Sequence, residues 1–197
     1  MCLQAFMEWS LFDAKGQRKY LTSAERAAFI AAAFKVDPNA SSFCLTLAFT
    51  GARISEVLAL TPDRLDQSEG TIILETLKRR RKGLFRAVPV PRDLLSHLVT
   101  IHRLADYPSK ERLWKFSRPT AWKRVREVME LAGIGPGQAK PKSLRHAFAV
   151  EAVQQRIALS LIRKWLGHAK IETTALYAEP VGEEERALAR LTWRGIT

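Results

Sequence analysis

Strand-like sequence is confined to one short part of this chain. TIILETL (71–77) is β-branched at 71–73, FRAVPVP (85–91) follows, and the basic run LKRRRKGL lies between them. Two runs this close predict an antiparallel hairpin with a heavily basic turn. Pro89 has no backbone N–H to give to a ladder, which places the second run at a sheet edge or a strand end. A hairpin alone is marginal in water, so this small sheet must lean on something else.

That something is helical. Thr22 and Glu25 form a capping box ahead of AERAAFIAAAF, whose expected apolar side is Ala27, Phe29, Ile30 and Phe34. Asp37-Pro38-Asn39 reads as a breaker, and SSFCLTLAF (41–49) as a well-buried second helix. Arg53 to Leu60 predicts a short third helix after Thr50-Gly51, stopped by Thr61-Pro62. Past the hairpin, Pro91 opens a helix with Leu94, Leu95, Leu98 and Ile101 at helical spacing. Ser117 starts another, with Gly133 beyond its end. Ser143 and Ser160 are expected caps for LRHAFAVEAVQQR and LIRKWLGH; 172–178 and 183–191 close the chain as short helices. Residues 1–20 are poorly periodic and read as a lead-in segment. The expected fold is mainly α with one small antiparallel sheet.

Charge narrows the partners. With 32 Lys+Arg against 20 Asp+Glu, the net charge is +12 over 197 residues, and the pI is about 10.2. A basic domain of this kind carries the electrostatic footprint of nucleic-acid binding. A basic protein with no such partner is the competing reading. No run approaches the ~20 apolar residues of a membrane span, and no secretory leader is visible. Two cysteines, Cys2 and Cys44, cannot build a disulfide scaffold. A reducing cytoplasmic compartment is expected. GxxxxGK[ST], HExxH and GxSxG are all absent from the sequence. Neither metal nor cofactor is expected, so chemistry on phosphates would rest on cationic side chains.

Four segments can carry that chemistry. In TGARISE (50–56), Arg53 is expected in a first helical turn, where N–H groups already favour an anion. Glu56 can brace it; a plain surface Arg–Glu pair is the alternative. In KPKSLRHAFA (140–149), Lys142 and Arg145 share a face at a helix start. His146 points about 100° away from Arg145 around the helix and reads as structural, or as support behind the ligands, rather than as a direct ligand. In LGHAKIETTALYAE (166–179), His168 follows a glycine at a helix end and Tyr177 sits in the next helix. Tyr177 is either a core residue or a phenolate nucleophile; the second needs cations, since a free phenol has a pKa near ~10. The basic turn 78–82 either grips phosphates non-specifically or holds a lysine that protonates a leaving alkoxide.

Together and in this order, TGARISE, a lysine in a β-turn, KSLRH, LGH and LY resemble the tyrosine recombinase (phage integrase) family over about residues 21–190. The resemblance implies that family's catalytic-domain fold and site-specific DNA recombination through a 3′-phosphotyrosine. It implies Arg53 and Arg145 as the catalytic arginines, with Lys142 where the His/Lys-x-x-Arg motif most often has His. It further implies Lys78 as the hairpin lysine, with Lys82 the second candidate, His168 as a phosphate donor, Tyr177 as the nucleophile and Glu56 as support for Arg53. Arg79, Arg80, Arg81 and Lys82 are expected to contact DNA. One catalytic domain over 21–197 is expected, without a separate N-terminal core-binding domain, similar in size to minimal fimbrial-type invertases. The implied partners are double-stranded DNA, further copies of the chain as a homo-tetramer on paired sites, and an accessory DNA-bending protein. A monomer is the open alternative without DNA. The implied location is the nucleoid. Helix 183–191 could dock on a neighbouring copy through Leu188 and Leu191, or pack on its own domain.

Three other readings stay open on the sequence. One is a non-catalytic DNA-binding or regulatory protein that kept the fold. Another is a type IB topoisomerase-like enzyme with the same chemistry. The third is a helix-turn-helix formed by 141–156 and 160–167, which leaves the Arg53 motif unexplained.

Overall fold

The computed structural model describes residues 11–77, 83–169, 171–175 and 177. Helix α1 (Ser23–Ala33) begins at the expected capping box: Glu25 N–H donates to Thr22 Oγ1 at 3.2 Å, and Thr22 N–H donates to a Glu25 carboxylate oxygen at 2.8 Å. Its buried residues are Phe29, Ala32 and Ala33, whereas Ala27 and Phe34 face solvent. Helix α2 (Pro38–Thr50) starts earlier than expected. Asp37 is its N-cap, accepting from Ala40 N–H at 3.0 Å, and Pro38 is its first residue. The Asp-Pro-Asn triplet is therefore a helix start, for which proline's fixed φ is pre-organised. Helix α2 is buried along nearly its whole length and packs against α1 and four later helices.

Helix α3 (Ile54–Leu58) is short, and Arg53 is its N-cap in extended conformation rather than a first-turn residue. A 3-10 turn at Pro62–Arg64 leads into β1 (Leu65–Asp66), which the sequence did not announce. It pairs with β2 (Thr71–Glu75), and β2 with β3 (Phe85–Pro89), giving an antiparallel sheet in the order β1-β2-β3. Pro89 ends an edge strand, as its missing N–H requires. The buried face of the hairpin carries the facing pairs Ile72–Val88 and Leu74–Arg86. The run 78–82 lies outside the described residues.

Helix α4 (Arg92–His102) takes Pro91 as its N-cap, one position outside the expected first turn. Helix α5 (Arg118–Leu131) starts at Ser117, whose hydroxyl accepts from Thr120 N–H at 3.2 Å. Helix α6 (Pro141–Gln154) begins before the expected cap: Lys140 is the N-cap, Pro141 follows, and Ser143 is buried inside the first turn. Helix α7 (Leu159–Leu166) likewise starts at Ala158, with Ser160 inside it. Helix α8 is Glu172–Ala175, shorter than expected. The segment 183–191 lies outside the described residues. Among the described residues, no helix is long and apolar enough to cross a membrane.

Two apolar clusters organise these elements. The larger joins α1 to α5, β2 and Val88 of β3 with the inner face of α6. The smaller holds Leu11, Tyr20, Ala149, Val150, Ala152, Ile162, Leu166 and Tyr177. Leu11 and Tyr20 tie residues 11–20 to this cluster, and Phe12 and Arg18 form an isolated β-bridge. Helix α6 runs between the clusters and is buried on most sides, Ser143, Arg145 and His146 included. Its N-terminal turn lies at the seam between them.

Candidate active site

A cavity of about 480 Å³ opens at that seam. Arg53, Lys142, Arg145, His168 and Tyr177, all singled out in the sequence, line it together with His146, Arg118, Trp122 and Lys140. Glu56 lies beneath it, 1% exposed. Lys78, Arg79, Arg80, Arg81 and Lys82 lie outside the described residues.

Arg53 is held by charge. Its Nη1 donates to Glu56 Oε1 at 2.7 Å, and its backbone N–H donates to Glu56 Oε2 at 3.0 Å. Glu56 also accepts from Arg86 Nη2 at 2.6 Å. Burial would raise the Glu56 carboxyl, but the Arg86 charge, the Arg53 N–H and the Arg53 charge outweigh it and hold it below its usual range. Arg86 had not been singled out. It sits on the buried face of β3, donates Nε to Trp165 O at 2.6 Å and Nη1 to Thr76 Oγ1 at 3.0 Å, and so ties the sheet to α3 and to the end of α7. The strand alternation of FRAVPVP carries the signal: Arg86 is in phase with Val88, on the face that must be buried.

Arg145 is held by carbonyl dipoles. Nη1 donates to Gly51 O at 2.9 Å and Nη2 to Leu166 O at 2.6 Å. Both oxygens lie at helix C-termini, where the dipole is negative. Gly51 and Gly167 end those helices in the left-handed conformation, at φ 60° and 66°. A Cβ on Gly51 would come within 2.6 Å of the Phe148 ring, so this turn needs glycine. Burial, and then the Arg53 charge, push the Arg145 guanidinium down to about 9. It is a buried cation resting on dipoles instead of a carboxylate, the condition in which an arriving anion gains most.

The two histidines of the cavity are neutral. Burial, followed by the Arg145 and Arg53 charges, pushes His168 down to about 3. Its Nδ1 lies 2.9 Å from Thr174 Oγ1. With that hydroxyl donating, Nε2 carries the hydrogen and is a donor for an anion. His146, expected to point away, instead reaches Tyr177: Nδ1 and Oη are 2.7 Å apart. Tyr177 is 5% exposed, belongs to the smaller apolar cluster and lines the cavity. Burial raises its phenol to about 12 against the pull of Arg145 and Arg53. At rest it is therefore protonated. Tyr177 is therefore both a core residue and a residue of the cavity wall.

A cavity with two guanidinia, a neutral imidazole donor and a tyrosine hydroxyl can bind a phosphodiester and attack it. The phage integrase family model matches residues 19–183. The chain belongs to the phage integrase family. It is 30% identical over 141 residues to the tyrosine recombinase XerA of Pyrococcus furiosus, an alignment covering 68% of this chain and 47% of that protein. The chain thus spans about half the length of such relatives. The crystal structure of XerA recombinase superposes with a TM-score of 0.72 at 25% identity, covering 88% of this chain and 62% of that one. A XerH site-specific recombinase bound to palindromic difH substrate, a post-cleavage complex, gives 0.74 at 23% identity over 89% of this chain and 52% of that one. The fold is that of tyrosine recombinase catalytic domains.

Proposed function

We propose that this chain cleaves and rejoins duplex DNA through a 3′-phosphotyrosine on Tyr177, as a site-specific recombinase. The observation that carries the reading is Tyr177 lining one cavity with Arg53 and Arg145. In the cleavage step Tyr177 Oη bonds to phosphorus, the P–O5′ bond breaks, and the phenol proton leaves to water. The 5′-oxygen takes a proton from a general acid, a role assigned to Lys78 with Lys82 as the second candidate. Arg53, Arg145 and His168 stabilise charge on the non-bridging oxygens, Lys142 adds a cation at the cavity rim, and Glu56 orients Arg53. The covalent intermediate retains the bond energy, so a 5′-hydroxyl of a partner duplex can rejoin without a nucleotide cofactor.

Double-stranded DNA is the proposed partner, supported by the +12 net charge and by the DNA-bound XerH relative. Arg79, Arg80, Arg81 and Lys82 contribute phosphate contacts. A homo-tetramer on paired sites, an accessory DNA-bending protein and a nucleoid location complete the proposal. Covalent trapping tests it: the protein is mixed with a pool of nicked duplexes whose cleavage releases a short fragment, with Tyr177→Phe as control. An adduct mapped to Tyr177 is expected. Salt-sensitive binding to the same pool without any adduct would replace this reading with a DNA-binding protein of the same fold. Relaxation of supercoils without joining of two sites would replace it with a topoisomerase-like activity.

A further inference from the structure

We propose that His146 is a further catalytic residue, whose neutral imidazole carries its hydrogen on Nδ1 and donates it to Tyr177 Oη, holding the nucleophile for attack. The proposal rests on the strand-transfer reading above. Both side chains are buried, and the 2.7 Å contact is well inside hydrogen-bond range. The rings sit 5.6 Å apart at 52°, while His168 stacks on the phenol at 6.4 Å and 14°. The phenol is thus gripped by one imidazole at its oxygen and flanked by another on its face.

The tautomer follows from the other ring nitrogen. His146 Nε2 is buried and, among the described residues, has no hydrogen-bond partner. Hydrogen on Nε2 would bury an unpaired N–H, one of the rarest and costliest defects in a folded chain. Hydrogen on Nδ1 leaves only a bare lone pair at Nε2 and gives the N–H an acceptor in Tyr177 Oη. A second proton on the ring is opposed by burial, Lys142, Arg145 and Lys19 in that order. Arg53 and Arg145 also act on the phenol. His146 is therefore a fixed donor and not a store for the tyrosine proton. As Oη bonds to phosphorus and P–O5′ breaks, the phenol proton leaves through the open cavity to water. The Nδ1–H stays on the ring and steadies the negative charge that Oη carries before attack and when it departs during rejoining.

Two measurements test this. In the free protein, long-range proton–nitrogen correlation of the imidazoles reports each tautomer, with His146 assigned by its loss in His146→Asn. The Nδ1–H form is expected; the Nε2–H form or an imidazolium would overturn the proposal. In the trapping assay, His146→Phe is expected to cut the cleavage rate about 10²-fold, with DNA affinity unchanged. His146→Asn places an amide N–H near the Nδ1 position and is expected to recover most of the rate. A duplex with sulfur at the bridging 5′ position needs no general acid. A defect at the nucleophile persists on it, so restoration of His146→Phe by this substrate would overturn the role. So would a wild-type rate in His146→Phe, or failure of His146→Asn to recover despite a native melt. No adduct from the wild-type protein would instead overturn the strand-transfer reading and this role with it.

Discussion

The two arginines of the cavity are secured by opposite means. Arg53 belongs to a buried charged set in which one carboxylate, Glu56, faces two guanidinia, those of Arg53 and Arg86. Arg145 rests on two helix-end carbonyls. A cation paired with a carboxylate has much of its field spent locally, whereas one resting on dipoles keeps its charge for a ligand. The contrast separates a side of the site that holds the fold together from a side that, on the proposed function, meets the phosphate. Arg86 and Glu56 belong to the first, Arg145 and the neutral histidines to the second.

The largest expected effects lie in the pair Arg145→Met and Arg86→Met. Arg145→Met should lower the trapping rate on the order of 10³-fold, the scale of losing an arginine that stabilises a phosphoryl-transfer transition state. Its melt should fall by only about 1–3 kcal/mol, from the two carbonyls left without a donor. Arg86→Met should lower stability more, by about 3–5 kcal/mol, because Glu56 keeps its charge and loses its closest partner. Chemical denaturation of both variants beside the trapping rate checks this. Equal losses of stability would break the distinction between the two sides.

Acid separates them next. Burial and neighbouring cations depress His146 and His168 to about 3, against an ordinary value of 6.5. The unfolded chain therefore binds their protons first. Stability from these groups is intact above pH 6.5 and declines as pH falls from there toward 3. Between pH 7 and 5.5 each should cost about 1 kcal/mol, from the slope of 1.36 kcal/mol per unit. Glu56 acts in the same sense in a lower window: its carboxyl is held below 4.5, so its contribution is intact above 4.5 and is lost as pH falls from there through the lowered range. Urea midpoints at pH 7, 5.5 and 3.5 sample the two windows. A flat profile between 7 and 5.5 would show that the folded histidines take up protons as readily as the unfolded chain does.

Much of this was legible in the sequence, for reasons of range. The Thr22–Glu25 cap, the Ser117 start and the strands around 71–89 are local, decided by residues a few positions apart. The order of short motifs picked out Arg53, Arg145, His168 and Tyr177, although their meeting in one cavity is a tertiary fact. The helix starts at 38 and 141 were misplaced because proline was read as a stop or ignored, when its fixed φ made it a first residue. Arg86 was missed because its partners Glu56 and Trp165 are 30 and 79 residues away, and only its phase in the strand hinted at burial. For His146, helix geometry said only that it turns away from Arg145. Its side chain reaches an oxygen supplied by a segment 31 residues downstream, which no periodicity in α6 reveals.

The smallest expected effect is the sharpest test of the contrast, because it needs neither DNA nor turnover. A cavity with an uncompensated guanidinium should take inorganic sulfate. At ten times its Kd an anion that binds only the folded state stabilises by about 1.4 kcal/mol. Sulfate also strengthens apolar burial in general by its exclusion from protein surfaces. The informative quantity is therefore the difference between variants at matched ionic strength, with chloride as the reference salt. The wild-type protein should gain the specific increment in melting temperature, and Arg86→Met should keep it, since Arg86 touches Glu56 and not the cavity. Arg145→Met should lose it and retain only the general salt effect. If Arg145→Met gains as much as wild type, the anion is held by surface charge such as Lys142 or Lys140, and Arg145 is not the group the cavity keeps in reserve for phosphate.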